Sequence, residues 1–220
     1  MGKKALFIIG AVLIIDQISK IWVKTSMYLD ESIPVFGDWF FIHFIENPGM
    51  AFGLEFGGQT GKILLSVFRI VAIIFIGFYL RSIIRKKVSP GLIISVALVF
   101  AGAAGNIIDS AIYGLIFSES PPFSAEVATI FPDSGGYASF LQGKVVDMLY
   151  FPLIDTHWPE WVPGVGGDRL RFFRPVFNIA DSSITIGMAL ILINQKRYFK
   201  DEKSGNKIET KQNTEEVSGA

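Results

Sequence analysis

The chain has 220 residues, half of them hydrophobic, with 20 phenylalanines and a formal net charge of zero. So apolar a composition does not suit a soluble domain covered in charge and puts the chain in the membrane class, and the neutral balance offers no basic field for nucleic acid. The lack of cysteine excludes disulfides, a thiol nucleophile and thiolate metal sites, and His43 and His157 alone are too few for a histidine-built zinc centre.

At about 1.5 Å rise per residue, four stretches can cross a hydrocarbon core of roughly 30 Å. They are Ala5–Val23, Ile63–Leu80, Leu92–Ile112 and Val176–Ile193. The first begins like a signal peptide, but Asp16-Gln-Ile-Ser-Lys20 lacks a small-x-small cleavage site and apolar character resumes at Ile21, so it reads as an uncleaved span. In the connection 25–61, Trp39–Ile45 is apolar on both alternating faces, which suits a strand lying in the lipid headgroup zone. It leads into the turn-rich Glu46–Gly53, either a simple hairpin connection or a flap. The connection 113–175 contains Pro121-Pro122 and Ser134-Gly-Gly136, marks of an irregular loop. It also holds Trp158 and Trp161, which read as interface anchors.

Lys3 and Lys4, the cluster Arg81, Arg85, Lys86 and Lys87, and Lys196, Arg197 and Lys200 all lie on one side of these spans. The positive-inside rule then places both termini in the cytoplasm and both long loops outside. The expected architecture is an all-α membrane bundle of four transmembrane helices, with a small extracytoplasmic β element between helices 1 and 2. One domain, residues 1–200, carries the outer loops 25–61 and 113–175; residues 201–220 are polar and aperiodic and read as a disordered cytoplasmic tail.

This orientation gathers polar residues near one interface. Asp16 and Lys20 lie four apart on one face of the first span; Asn106 and Asp109 end the third; Asn178 and Asp181 begin the fourth; Asp147 sits in the loop between them. Asp16 and Lys20 can be a structural ion pair or touch substrate. Asn106 and Asp109 can hydrogen-bond across helices or bind a ligand. The small residues Ala97, Ala101, Gly102 and Gly105 read as close helix packing. Asp147 and Asp181 stand apart, because a carboxylate in apolar sequence beside a span is expensive and points to function. Two carboxyl groups meeting in such a place do not both ionise easily: one keeps its proton and the other serves as a base, as hydrolysis of an amide by water requires.

In order along the chain, Asp16-Gln-x-x-Lys20, Asn47-x-Gly-x-Ala-Phe-Gly53, Gly102-x-x-Gly-Asn-x-x-Asp109, Val146-Asp147 and Phe177-Asn-x-Ala-Asp-Ser182 resemble the motifs of the lipoprotein signal peptidase (signal peptidase II) family. The resemblance implies a four-span aspartyl endopeptidase of the bacterial inner membrane. Such an enzyme removes the signal peptide of a prolipoprotein just before a diacylglyceryl-modified cysteine, without cofactor or metal, and is inhibited by globomycin-type peptides. It implies Asp147 and Asp181 as the catalytic pair. It further implies Asn47, Gly49, Asn106, Asp109, Asn178 and Ala180 as residues shaping the substrate site, with Asp16 and Lys20 in support. Two departures stand out: Ser110 occupies the place where the family usually has arginine, so that Arg69 or Arg174 would have to serve instead, and the outer loop around Asp147 is long for the family.

Three other readings compete. A serine–lysine amidase would pair Lys20 with Ser182 or Ser183, yet no strained nucleophile turn is present. A proton-coupled transporter needs polar groups down to the cytoplasm, and the inner halves of the third and fourth spans offer little beyond Ser95, Ser183 and Thr185. A catalytically dead lipoprotein-binding scaffold is the third.

Overall fold

A computed structural model of the chain describes residues 1–48, 58–152, 154–157, 159–172 and 175–218. Helix α1 spans Gly2–Ser26, and strands β1 (Ser32–Phe36) and β2 (Phe40–Asn47) follow. Helices α2 (Gly58–Arg85) and α3 (Pro90–Ile108) come next, the latter passing without a break into a π-helical turn, Asp109–Tyr113, and the short α4, Gly114–Ile116. Strands β3 (Val145–Tyr150), β4 (Ile154–His157), β5 (Arg169–Phe172) and β6 (Val176–Phe177) lead to helix α5, Ile179–Ser218. The backbone of α5 therefore continues through the stretch whose composition reads as a disordered tail.

The α2–α3 turn shows how local chemistry sets a boundary. Lys87 takes a left-handed conformation (φ 52°), and its N–H and that of Val88 donate to Ile84 O and Ile83 O at 3.2 and 3.1 Å. These two bonds satisfy carbonyls that the helix end leaves orphaned. Pro90 then opens α3 at the first helical position, where its missing N–H costs nothing. Among the described residues three helices, Gly2–Ser26, Ile63–Arg85 and Pro90–Ile116, are long and apolar enough to cross a membrane. Phe68, Phe75 and Phe78 on α2 are exposed, as side chains facing lipid would be.

Chain contacts separate two units. The first comprises Met1–Leu13, Ile70–Ala104 and Ala180–Ala220. All four long helices contribute to its core, which contains Ala5, Leu80, Ile83, Ile93, Ala97 and Tyr198. Small residues let α3 and α5 approach closely. A Cβ at Gly102 would lie 2.2 Å from Ala180 O, and one at Gly187 would lie 2.6 Å from Ser95 O. Ala97 and Ala101 are fully buried, in accord with the packing role read from their spacing.

The second unit, Ile14–Arg69 with Gly105–Ile179, contains an antiparallel sheet of order β1-β2-β3-β6 and a separate β4-β5 pair. This corrects the expectation of a β element confined between helices 1 and 2: β3 comes from the second long loop and β6 from the residues just after it. The reason lies in β2, whose two apolar faces and two edges need more than the single partner a marginal hairpin offers; β1 and β3 flank it. Val176 and Phe177, expected to open the fourth span, instead pair with Tyr150 and Leu149 as β6, and the helix starts at Ile179. Beneath the sheet Val23, Met27, Phe44, Tyr113, Phe117, Val146 and Met148 form the second core. The loop before β3 is stitched back onto the end of α3 and α4: Phe131, Ala138 and Gly143 N–H groups donate to Ile116, Gly114 and Ser110 carbonyls at 2.7, 2.8 and 2.8 Å.

Candidate active site

Helical spacing places Asp16 and Lys20 one turn apart on α1, both fully buried. Lys20 Nζ lies 2.8 Å from Asp16 Oδ2 and 2.7 Å from Asp109 Oδ2, and donates to Asn106 Oδ1 at 3.0 Å. A buried ammonium can be held there only because its three donors are all taken by oxygens, two of them charged. Gln17 Nε2 donates to Asp109 Oδ1 at 2.9 Å and to Asp16 Oδ2 at 3.1 Å, and Tyr113 OH donates to Gln17 Oε1 at 3.2 Å. Asp109 begins the π-helical turn and Tyr113 ends it. Such wide turns interrupt α-helices at functional sites more often than elsewhere.

Asn106 is the relay from this ion cluster to the sheet. Its Oδ1 also accepts from Asn178 Nδ2 at 3.1 Å, and Asn178 Nδ2 donates to Asp147 Oδ1 at 2.7 Å. Asn47 Nδ2 donates to the other oxygen, Asp147 Oδ2, at 3.2 Å. Strand pairing makes this possible: Asn47 faces Val145 and Ile45 faces Asp147 across β2 and β3, so Asn47 and Asp147 project from one face of the sheet. Asn178 follows β6 directly and is fully buried. Both oxygens of a carboxylate that is itself only 4 % exposed are thus gripped by neutral amides. A carboxylate held at both oxygens has a fixed orientation.

The second unit therefore brings together Asp16, Lys20, Asn47, Asn106, Asp109, Asp147 and Asn178. Gly49 and Arg174 lie outside the described residues. Asp181 and Ala180 belong to the first unit. Asp181 sits in the first turn of α5, where the helix dipole favours a carboxylate, and Ala180 is fully buried with its carbonyl against Gly102. Ser110, in place of arginine, donates its hydroxyl to Asn106 O at 3.1 Å.

Sequence reasoning passed over Gln17 and Tyr113 as functional side chains. The signal for Gln17 was its place inside the Asp16–Lys20 motif, and for Tyr113 its spacing of four from Asp109. It also passed over a second charged group. Glu46 meets Lys24, receives a 2.9 Å hydrogen bond from Lys144 Nζ, and is reached by Ser120 Oγ at 3.2 Å. Burial pushes the Glu46 carboxyl up, but Lys24 and Lys144 outweigh it and hold it below the ordinary carboxylate range. Burial likewise raises the Tyr137 phenol, partly offset by the Lys144 backbone N–H that donates to it at 2.7 Å.

Residues 8–197 match the family described as Signal peptidase (SPase) II. The chain belongs to the signal peptidase II family. The lipoprotein signal peptidase of Porphyromonas gingivalis is 49% identical over 193 residues, covering 87% of this chain and 82% of that protein. That of Amoebophilus asiaticus is 37% identical, covering 83% and 73% respectively. A solved bacterial membrane enzyme superposes with a TM-score of 0.56 at 23% identity, covering 89% of this chain and 88% of its own; at that identity it speaks for the fold. As a signal peptidase II the chain is a membrane protease that cleaves the signal peptides of lipoproteins. The rival reading as a transporter gives way to this membership.

Proposed function

We propose that the chain is an aspartyl endopeptidase of the bacterial inner membrane that cuts diacylglyceryl-modified prolipoproteins just before the lipidated cysteine, with Asp147 and Asp181 as its catalytic pair. The observation that carries this reading is the grip of Asn178 and Asn47 on the two oxygens of Asp147. Asn178 stands three residues before Asp181, so a single short segment that positions one carboxylate continues directly into the helix bearing the other.

In the mechanism, the ionised aspartate takes a proton from a water held by the pair, and the water oxygen attacks the scissile carbonyl carbon. The protonated aspartate donates to the carbonyl oxygen as it becomes anionic. Collapse of the tetrahedral species breaks the C–N bond: the proton first taken from water leaves on the new amine, and one hydroxyl of the intermediate returns its proton to the aspartate that acted as acid. The apparent pKa values of such a pair belong to both groups together. Asn106 and Asp109 shape the substrate side with Gly49 and Ala180, and Asp16 and Lys20 hold Asp109.

Four spans, both termini in the cytoplasm and an external site complete the proposal. The lipid on the substrate cysteine supplies binding energy at about 0.8 kcal/mol per buried CH₂. Stacked rings run along the sheet from Phe36 and Phe40 to Phe151 and Phe177, and Phe36 and Trp39 are each 59% exposed. This surface suits a strand resting in the headgroup zone; residues 49–53, read from the sequence as part of a flap, lie outside the described residues.

The deciding experiment incubates the purified protein with a diacylglyceryl-modified prolipoprotein, with and without globomycin, using wild type, Asp147→Asn and Asp181→Asn. Conversion that the peptide antibiotic blocks and that both substitutions abolish is the expected result. Wild-type turnover by either variant removes the aspartyl mechanism, and a binding-only scaffold would show no conversion at all.

A further inference from the structure

Glu46 occupies an unusual place. Asn47 reaches Asp147, so Glu46, one residue earlier in β2, projects from the opposite face of the sheet, where Phe44, Val146 and Met148 form the core with Val23 and Phe117. Its carboxylate is only 3% exposed. Lys24, fully buried near the end of α1, contacts it: Lys24 Nζ also donates to Ser120 Oγ at 3.0 Å, and the Phe44, Phe117 and Tyr137 rings surround the ammonium at 6.0, 5.5 and 5.0 Å. Lys144, the residue before β3, holds the second Glu46 oxygen at 2.9 Å.

Stability is a weak reason for such a cluster. Burying these charges costs several kcal/mol per ion, and apolar replacements of buried ion pairs are often neutral or better. Fixing a register is the better-attested use. A register problem exists at this strand pair: β2 advances from Ile42 to Ile45 while β3 moves only from Leu149 to Asp147. The ladder is therefore irregular immediately before Glu46, and a slip of one residue would turn Asn47 to the other face.

We propose that Glu46, clamped between Lys24 and Lys144, is a positioning residue for the peptidase reaction: it locks the β2–β3 register that keeps the Asn47 amide on Asp147. Asn47 and Glu46 point to opposite faces, so a carboxylate anchored beneath the sheet determines where the amide above it points. Lys24 ties the lock to α1. Ser120 and Tyr137 tie it to the long loop before β3, and that loop thereby gains a role in the site. The proposal rests on the reading of Asp147 as catalytic.

The test is a double-mutant cycle on the full chain, with Glu46→Gln, Asn47→Ala and the double variant assayed for kcat and KM on a diacylglyceryl-modified prolipoprotein. Glu46→Gln is expected to lower kcat/KM by about tenfold to a hundredfold. In the Asn47→Ala background it is expected to change kcat/KM by less than about threefold, because its effect passes through that amide. A purely structural residue would lower the melting temperature without this non-additivity. Should Glu46→Gln not fold, Lys144→Gln, at a side chain 28% exposed, enters the same cycle. Effects that multiply in the double variant, or wild-type kcat/KM in Glu46→Gln, overturn the proposal. An active Asp147→Asn enzyme overturns the catalytic reading instead; an inactive one with multiplying Glu46 and Asn47 effects overturns the positioning proposal alone.

Discussion

Lys20 carries more than a pairwise contact. With Asp16 and Asp109 both fully buried beside it, its removal leaves two carboxylates facing each other without a cation, whereas loss of a surface pair leaves both groups in water. Lys20→Met is therefore expected to cost about 3–5 kcal/mol, the usual penalty for orphaning a buried charge, measured by denaturant unfolding in detergent. An unchanged midpoint would mean that the carboxylates find other partners. Asn178 is a different case. Its amide bridges Asn106 Oδ1 and Asp147 Oδ1, so Asn178→Ala should cost about 1–3 kcal/mol of stability for the buried acceptors it orphans and lower kcat at least about tenfold, since a misaimed base loses the benefit of orientation. These residues were readable in the chain because each is a polar group in an apolar run. Gln17 and Tyr113 were harder to read, since a glutamine beside an aspartate and a tyrosine at a span end have ordinary uses.

Elements are joined by close backbone approach where side chains are absent. A Cβ at Gly143 would lie 2.2 Å from Asp109 O and 3.0 Å from Ser110 O, so the loop can be stitched to the π-helical turn only through glycine. Gly143→Ala is expected to push the loop away and destabilise the fold by about 1–3 kcal/mol, as overpacking does. The same substitution should reduce turnover more than that loss explains, because Lys144 and β3 follow directly. Equal stability and activity in this variant would show that the loop can yield. The strand segment Trp39–Ile45 was legible from its two apolar faces, but its partners were not. β6 was read as the start of a span, since Val176 and Phe177 are as apolar as a helix requires; their pairing with Tyr150 and Leu149 depends on a strand some thirty residues upstream.

At the level of the whole chain, pH and sidedness give two further tests. The Glu46 carboxyl is held below its ordinary value of 4.5, with Lys24 and Lys144 facing it and Ser120 between. A depressed folded-state pKa means its stabilisation is fully present above about 4.5 and is lost as pH falls through the lower folded value. Acid unfolding of wild type should accordingly show a loss in that window that Glu46→Gln lacks; identical acid profiles would contradict the assignment. Because the chain has no cysteine, single introduced thiols report orientation cleanly. Ser134→Cys is expected to react with an impermeant maleimide in intact cells and Lys86→Cys only after lysis, and the reverse pattern would invert the proposed topology. Composition, hydropathy and the order of five short motifs were enough to determine the membrane class and the family, because spans and motifs are local patterns of residue type. Only the tertiary structure decided that a four-stranded sheet draws on both long loops, that two amides grip Asp147, and that Glu46 is buried between two lysines. Those depend on register and close approach between segments up to about a hundred residues apart, and no local pattern encodes which partner a strand or a buried charge will meet.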